Sequence, residues 1–198
     1  MLDKILQWDR DAFVYLNSLG IEQYDAFWST VTKFPPWIPL FALIITLFFI
    51  KFPKKEAITM ILTILIMAAF VATVTDLTKH VVARLRPNND EELNTLIRIL
   101  RSPSGFSFFS GHASSSFSII TLTVLFLRRE FKWVYLFYIW PILFAMSRVY
   151  VGVHFPIDLM VGALVGICLS LIHISEPTRP LYISYAVFCL KKISHCLR

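Results

Sequence analysis

Five stretches of this chain are apolar for almost the length a bilayer demands, and no other property limits its folds so sharply. A helix crossing the ~30 Å hydrocarbon core needs about 20 mostly apolar residues, with roughly 17–25 as the working range. Residues 36–52, 57–75, 112–127, 133–146 and 156–174 meet or approach that length. The second run is expected to stay helical past Asp76 to Leu85, and Pro141 is expected to kink the fourth. Lipid offers no hydrogen bonds, so continuous apolar runs of this kind satisfy their backbone as helices. The expected fold class is all-α: a polytopic transmembrane helix bundle of about five spans. Composition agrees, since 57% of the 198 residues are apolar and 16% are charged, against about 25% charged in an ordinary soluble domain.

Residues 1–34 have another pattern. Leu2, Ile5, Leu6, Trp8, Phe13 and Leu16 are apolar, but Asp9, Arg10 and Asp11 interrupt them. That suits an amphipathic helix lying in the membrane interface, followed by a second short one at about 24–33. The same charges stand where a cleavable signal needs an apolar core. Residues 87–109 form a long polar connection, water-exposed at its start. Lys51, Lys54 and Lys55 join the first two spans, and Arg128, Arg129 and Lys132 join the third and fourth. By the positive-inside rule both loops belong to the cytoplasmic side of a plasma (inner) membrane.

The tail is unlike the rest. Residues 169–192 match the in-frame translation of a transposon-type sequencing adapter, with 180–182 at its variable index. The expected division is a membrane-embedded domain at 1–168, including the interfacial helices of 1–34, and a non-native tail at 169–198. Cys189, Cys196, His173 and His195 then carry no functional weight. With Cys168 they form no Cys-x-x-Cys or other metal-ligand pair.

The net charge of +6 suits anionic lipid or a phosphate-bearing substrate, and nucleic acid is not an expected partner of so apolar a chain. Basic residues also gather away from the cytoplasmic loops, in three clusters. Lys79 and Arg86 are seven apart, about two helical turns, and Pro87 follows them. Asp76 lies one turn before Lys79 and can pair with it, while Arg84 points elsewhere. Ser110-Gly111-His112 opens the third span, where a helix N-terminus favours an anion and His112 can donate a proton. Ser147-Arg148 precedes His154 and Asp158, and a carboxylate four residues on can fix the imidazole tautomer. Each cluster alone has a bland explanation: snorkelling cations, an ordinary helix cap, a structural hydrogen bond. With alternating spans, however, all three fall on one face of the membrane.

In order they read Lys-x6-Arg-Pro, Ser-Gly-His and Ser-Arg-x5-His-x3-Asp. This resembles the signature of the type 2 phosphatidic acid phosphatase superfamily, most of all its bacterial members. The resemblance covers most of the chain from about Trp8 to Cys168. One departure is Phe109, where the family usually has proline. The resemblance implies a metal-independent lipid phosphate or diphosphate phosphatase that needs no cofactor. His154 would attack phosphorus, Asp158 would orient it, and His112 would protonate the leaving oxygen and then activate water. Lys79, Arg86, Arg148, Ser110 and Gly111 would hold the phosphoryl oxygens, with no metal ligand set. Undecaprenyl diphosphate, phosphatidylglycerol phosphate, phosphatidic acid and a lipid A phosphate are the candidate substrates. The active site would face away from the cytoplasm. The alternative is a non-catalytic membrane protein with an anion-binding site.

Overall fold

The computed structural model describes residues 1–175. Cys189, Cys196, His195 and the rest of 176–198 lie outside the described residues. Among the described residues seven α-helices follow one another: α1 (Leu2–Ser18), α2 (Asp25–Val31), α3 (Ile38–Lys51), α4 (Lys54–Val82), α5 (Gly111–Leu127), α6 (Ile139–Tyr150) and α7 (Pro156–Ser175). Short 3-10 turns precede α2, α3 and α6. The chain is an all-α, multi-pass membrane protein.

Among the described residues, three helical stretches are long and apolar enough to cross a bilayer: Lys54–Asn89, Lys132–Tyr150 and Pro156–Ile174. Glu22–Val31 and Pro35–Lys51 qualify together as a fourth, bent by 67° at the break. α5, at 17 residues, is at the short end of the spanning range. Leu62, Leu65, Ile66 and Phe70 on α4, and Met160 and Leu164 on α7, are exposed. In water so much apolar surface would drive association; here it faces lipid.

α5 is the axis, and α4, α6 and α7 all pack on it. Small residues allow the close approach. Ser114, Ser116 and Ser118 of α5 are buried, and α7 presents Gly162 and Gly166, one turn apart. A Cβ at Gly162 would come within 2.7 Å of the Ser110 carbonyl, and one at Gly166 within 2.2 Å of the Ser114 carbonyl. This is the small-xxx-small contact of membrane helices, where backbone proximity stands in for hydrophobic drive. Ser118 and Ser170 hydroxyls bond across it at 2.9 Å. Residues 169–175, read above as adapter-derived, thus complete α7, with Ser170 buried and Leu169 and Ile174 against the core.

The two ends of the bundle differ. Lys51 and Glu130 approach to 3.7 Å, which puts both basic loops at one end. The end of α4, the start of α5 and the α6–α7 turn lie at the other. α4 has 29 residues, roughly 43 Å at 1.5 Å per residue, so its last turns pass beyond the hydrocarbon core. It stops at Val82, three residues short of the expected Leu85, because Ala83 turns left-handed with φ 48°. Arg84 to Arg86 therefore leave the helix, and a shared helix face does not explain why Arg86 stands near Lys79.

α1 also departs from the simple interfacial picture. Ile5, Trp8 and Leu16 are exposed, whereas Asp9, Phe13 and Asn17, spaced four apart, are buried. The charges that break the apolar pattern include the docking face. Asn17 fixes that face, its side-chain amide donating to the carbonyls of Arg98, Val149 and Tyr150 at 3.1–3.2 Å.

Candidate active site

The polar connection after α4 folds back over this end of the bundle. Leu100 N–H donates to the Val151 carbonyl at 3.2 Å and Ser107 N–H to the Arg84 carbonyl at 2.8 Å. Beneath it the structure brings the three sequence clusters together. Lys79, Arg86, His112, Arg148, His154 and Asp158 all lie within electrostatic range of neighbours in this set. Phe34, Ala72, Thr75, Asp76, Lys79, Gly111, His112 and Ser115 line a cavity of about 260 Å³ here. A larger hollow, about 530 Å³ between α1, α2, α6 and α7, is lined almost wholly by apolar side chains and holds none of these groups.

His154 is buried in the α6–α7 turn, 1% exposed. Arg86 Nη1 is 3.2 Å from His154 Nε2. A guanidinium can only donate, so Nε2 accepts and the ring proton sits on Nδ1. On that side Ser107 Oγ is 3.2 Å from Nδ1 and donates to Asp158 Oδ2 in a short hydrogen bond. Asp158 Oδ2 also lies 3.6 Å from Nδ1 and accepts from the Phe155 amide at 3.0 Å. Burial pushes the His154 imidazole down to about 4, with Arg86 and Arg148 acting the same way and Asp158 against them. A neutral ring with a lone pair on Nε2 is what a nucleophile requires.

The cations are under-partnered. Arg86 and Arg148 are 7% and 4% exposed, and the Nε–H of each has no acceptor among the described residues. Arg148 Nη1 donates to Thr32 Oγ1 at 2.7 Å. Among the described residues Lys79 makes no ion pair; Asp76 faces His80 instead, with Oδ2 3.9 Å from Nε2. Buried donors without acceptors are costly, and three positive charges around one imidazole call for a polyanion.

Ser110 caps α5: its hydroxyl accepts from the Ala113 amide at 3.4 Å, so the turn forms with Phe109 in place of proline. The Ser110 amide is not aimed outward, because it donates to the Asp158 carbonyl at 3.0 Å. The amides of Gly111 and His112, in the first turn of α5, have no intrahelical acceptor. The His112 ring packs between Phe34 and Phe144, with centroids at 6.1 and 5.1 Å. Among the described residues, no group of three His, Cys, Asp or Glu side chains is placed to hold a metal ion.

Three participants were not singled out from the sequence. Ser107 lies between the His154 imidazole and the Asp158 carboxylate; Arg84, noted only as pointing away from Lys79, grips Asp158; Thr32 holds Arg148. All act through contacts distant in sequence, and each has an ordinary local pattern.

The sequence model of the PAP2 superfamily matches residues 57–179. The chain belongs to the PAP2 superfamily. It is 28% identical to a lipid A 4'-phosphatase of Bacteroides thetaiotaomicron over 84% of this chain and 75% of that one. It is 33% identical to an undecaprenyl-diphosphatase of Sulfolobus acidocaldarius, over 73% and 66% of the two chains. The fold is also that of a PAP2 type phosphatidylglycerolphosphate phosphatase from Bacillus subtilis, with TM-score 0.68 at 21% identity over 85% and 84% of the chains. α1, α2 and α3 precede the matched region, so Asp9 and Thr32 come from outside it.

Proposed function

We propose that this membrane protein is a lipid phosphatase that works through a phosphohistidine at His154, without a metal ion. The observation that carries this reading is the pair of buried guanidinium Nε–H groups on Arg86 and Arg148, without acceptors among the described residues, beside an imidazole whose Nε2 lone pair is met only by Arg86. A phosphoryl group supplies the missing acceptors and the electrophile together.

Binding draws the Arg86 guanidinium from Nε2 onto a phosphoryl oxygen and so uncovers the nucleophile. Lys79, Arg148 and the Gly111 and His112 amides take the other oxygens. Ser110 keeps its hydroxyl hydrogen for the same use. Phosphoryl transfer requires positioning and charge neutralisation above all, and three fixed cations provide both. Nε2 forms a bond to phosphorus as the ester P–O bond breaks, and His112 gives its proton to the departing lipid oxygen. The positive charge gained by His154 is met through Nδ1–H by Ser107 and Asp158. Water then attacks phosphorus, His112 takes its proton, and the P–N bond breaks to restore neutral His154.

The cavity beside Lys79 and His112 is small and lies at the end of the bundle, which suits a head group presented at the bilayer surface. A lipid A-type phosphate and undecaprenyl diphosphate are the first substrates to test, by likeness to the two relatives. The basic loops at Lys51 to Lys55 and Arg128 to Lys132, at the opposite end of the bundle, favour a site on the non-cytoplasmic face of the inner membrane under the positive-inside rule.

The test is phosphate release from these lipids, phosphatidic acid and phosphatidylglycerol phosphate by the purified protein in detergent with EDTA. Undiminished turnover of at least one lipid is expected. Turnover that vanishes with EDTA and returns with Mg²⁺ or Zn²⁺ would refute the metal-independent mechanism, and binding of the lipids without turnover would favour an anion-binding protein.

A further inference from the structure

Arg84 sits between two buried carboxylates. Its Nη1 donates to Asp158 Oδ1 at 2.8 Å and its Nη2 to Asp9 Oδ2 at 2.7 Å. Its guanidinium lies 4.0 Å over the ring of Phe155, which Phe13 approaches edge-on at 5.3 Å. The second oxygen of Asp9 accepts from the Ile157 amide in the first turn of α7 at 2.9 Å. Residues 155–158, which follow His154 directly, are therefore held on several sides from α1. Asp9 and Asp158 are both 0% exposed.

We propose that Asp9 and Arg84 are a positioning pair for Asp158, so that the N-terminal interfacial helix is a working part of the active centre. Docking alone does not call for this pair. Phe13 and the four side-chain hydrogen bonds of Asn17 already fasten α1, and a buried carboxylate is a costly fastener. Burial pushes the Asp9 carboxyl up, against the Ile157 amide and Arg84, which lower it. What the pair adds is directed at Asp158. With both edges engaged, the guanidinium cannot rotate, and Asp158 is held with Oδ1 on Arg84 and Oδ2 toward Ser107 and His154. Arg84 keeps Asp158 ionised beside an imidazole that turns cationic during transfer. Asp9 offsets part of the Arg84 charge, so that Asp158 is not drained of the charge it must offer His154.

The proposal rests on His154 as nucleophile, so that is confirmed first by trapping labelled phosphoenzyme in the wild type; its absence would count against the nucleophile assignment and leave the kinetics below as the test of the pair. Asp9→Asn, Arg84→Lys and the double variant are compared for kcat, KM and inhibition by inorganic phosphate, with thermal unfolding in detergent as the check on folding. Arg10→Gln is the control: Arg10 joins α1 to Glu92 at 2.8 Å and Asp90 at 3.5 Å and touches none of the pair. Lysine keeps the buried charge but, as a point charge, cannot bridge two carboxylates, and it carries the test if Asp9→Asn does not fold. The expected result is a kcat loss of about 10–100-fold in each single variant, the range for an outer hydrogen-bond partner. KM and phosphate inhibition stay unchanged, the double variant is no worse than the poorer single, and Arg10→Gln keeps wild-type kcat. Wild-type kcat in the single variants, additive losses, a parallel loss of phosphate inhibition, or an equal loss in Arg10→Gln would each overturn the proposal.

Discussion

Removing the Ser107 hydroxyl tests the wiring behind His154, the proposed nucleophile. Its oxygen takes the Nδ1 proton of His154 at 3.2 Å, and its own hydrogen goes to Asp158. Ser107→Ala deletes both bonds and leaves the imidazole and carboxylate 3.6 Å apart. The backbone stays placed, because the Ser107 amide bonds the Arg84 carbonyl at 2.8 Å. A hydrogen bond to a charged group is worth about 1.5–3 kcal/mol, and each 1.4 kcal/mol or so is tenfold in rate. The expected loss in kcat is therefore about 10- to 150-fold. It falls below the loss in Asp158→Ala, because Asp158 can close part of the gap to Nδ1. KM should hold, since the cations proposed to grip the phosphoryl group are untouched. The assay is single-turnover phosphorylation of the enzyme by an aryl phosphate, with steady-state KM beside it. A rate within about twofold of wild type, or a loss confined to KM, would show that Ser107 does not serve His154.

Three further outcomes follow from the same geometry. Gly162→Ala and Gly166→Ala each force a Cβ into the facing helix, at 2.7 and 2.2 Å from carbonyl oxygens; overpacking of this kind costs about 1–3 kcal/mol, to be read from thermal unfolding in detergent, and Gly162→Ala alone should also slow turnover because it pushes on Ser110. His112→Ala should slow hydrolysis of a lipid alkyl phosphate by ~10²–10⁴-fold while sparing His154 phosphorylation by a nitrophenyl phosphate, measured by burst kinetics; equal losses for both leaving groups would remove His112 as the acid. Burial holds His154 down to about 4 against about 6.5 unfolded, so as pH falls below 6.5 the unfolded state takes the proton first and stability declines until about 4. His154→Gln should flatten that decline by one proton in unfolding curves at stepped pH, and an unchanged slope would mean the buried imidazole is not held neutral.

The bundle and most of the site were legible because membrane topology is a strong constraint. Apolar runs alternate direction, so motifs at the end of one span and the start of the next must meet. Lys79, Arg86, Gly111, His112, Arg148, His154 and Asp158 are together for that reason. Arg86 reached its place by another route than the one the spacing suggested, since the helix ends at Val82 and an extended segment carries it. What stayed hidden depends on contacts far apart in sequence. Asp9 reads as a break in an amphipathic helix, and only the docked position of α1 shows it against α7. Ser107 reads as a turn residue until the connection after α4 folds back over His154. Arg98, a basic residue of the polar connection, is tied to Asp25 at 2.6 Å, a contact 73 residues away in sequence.

The most direct test is the fate of the phosphoryl group itself. The protein is mixed with a ³²P-labelled aryl phosphate, quenched in alkali within one turnover, and digested for peptide mapping. Label that is stable to alkali, lost in acid and located on His154 is the expected result, with more of it in His112→Ala and none in His154→Ala. Turnover without label in the wild type and in His112→Ala, or label that survives in His154→Ala, would contradict a phosphohistidine mechanism at this site.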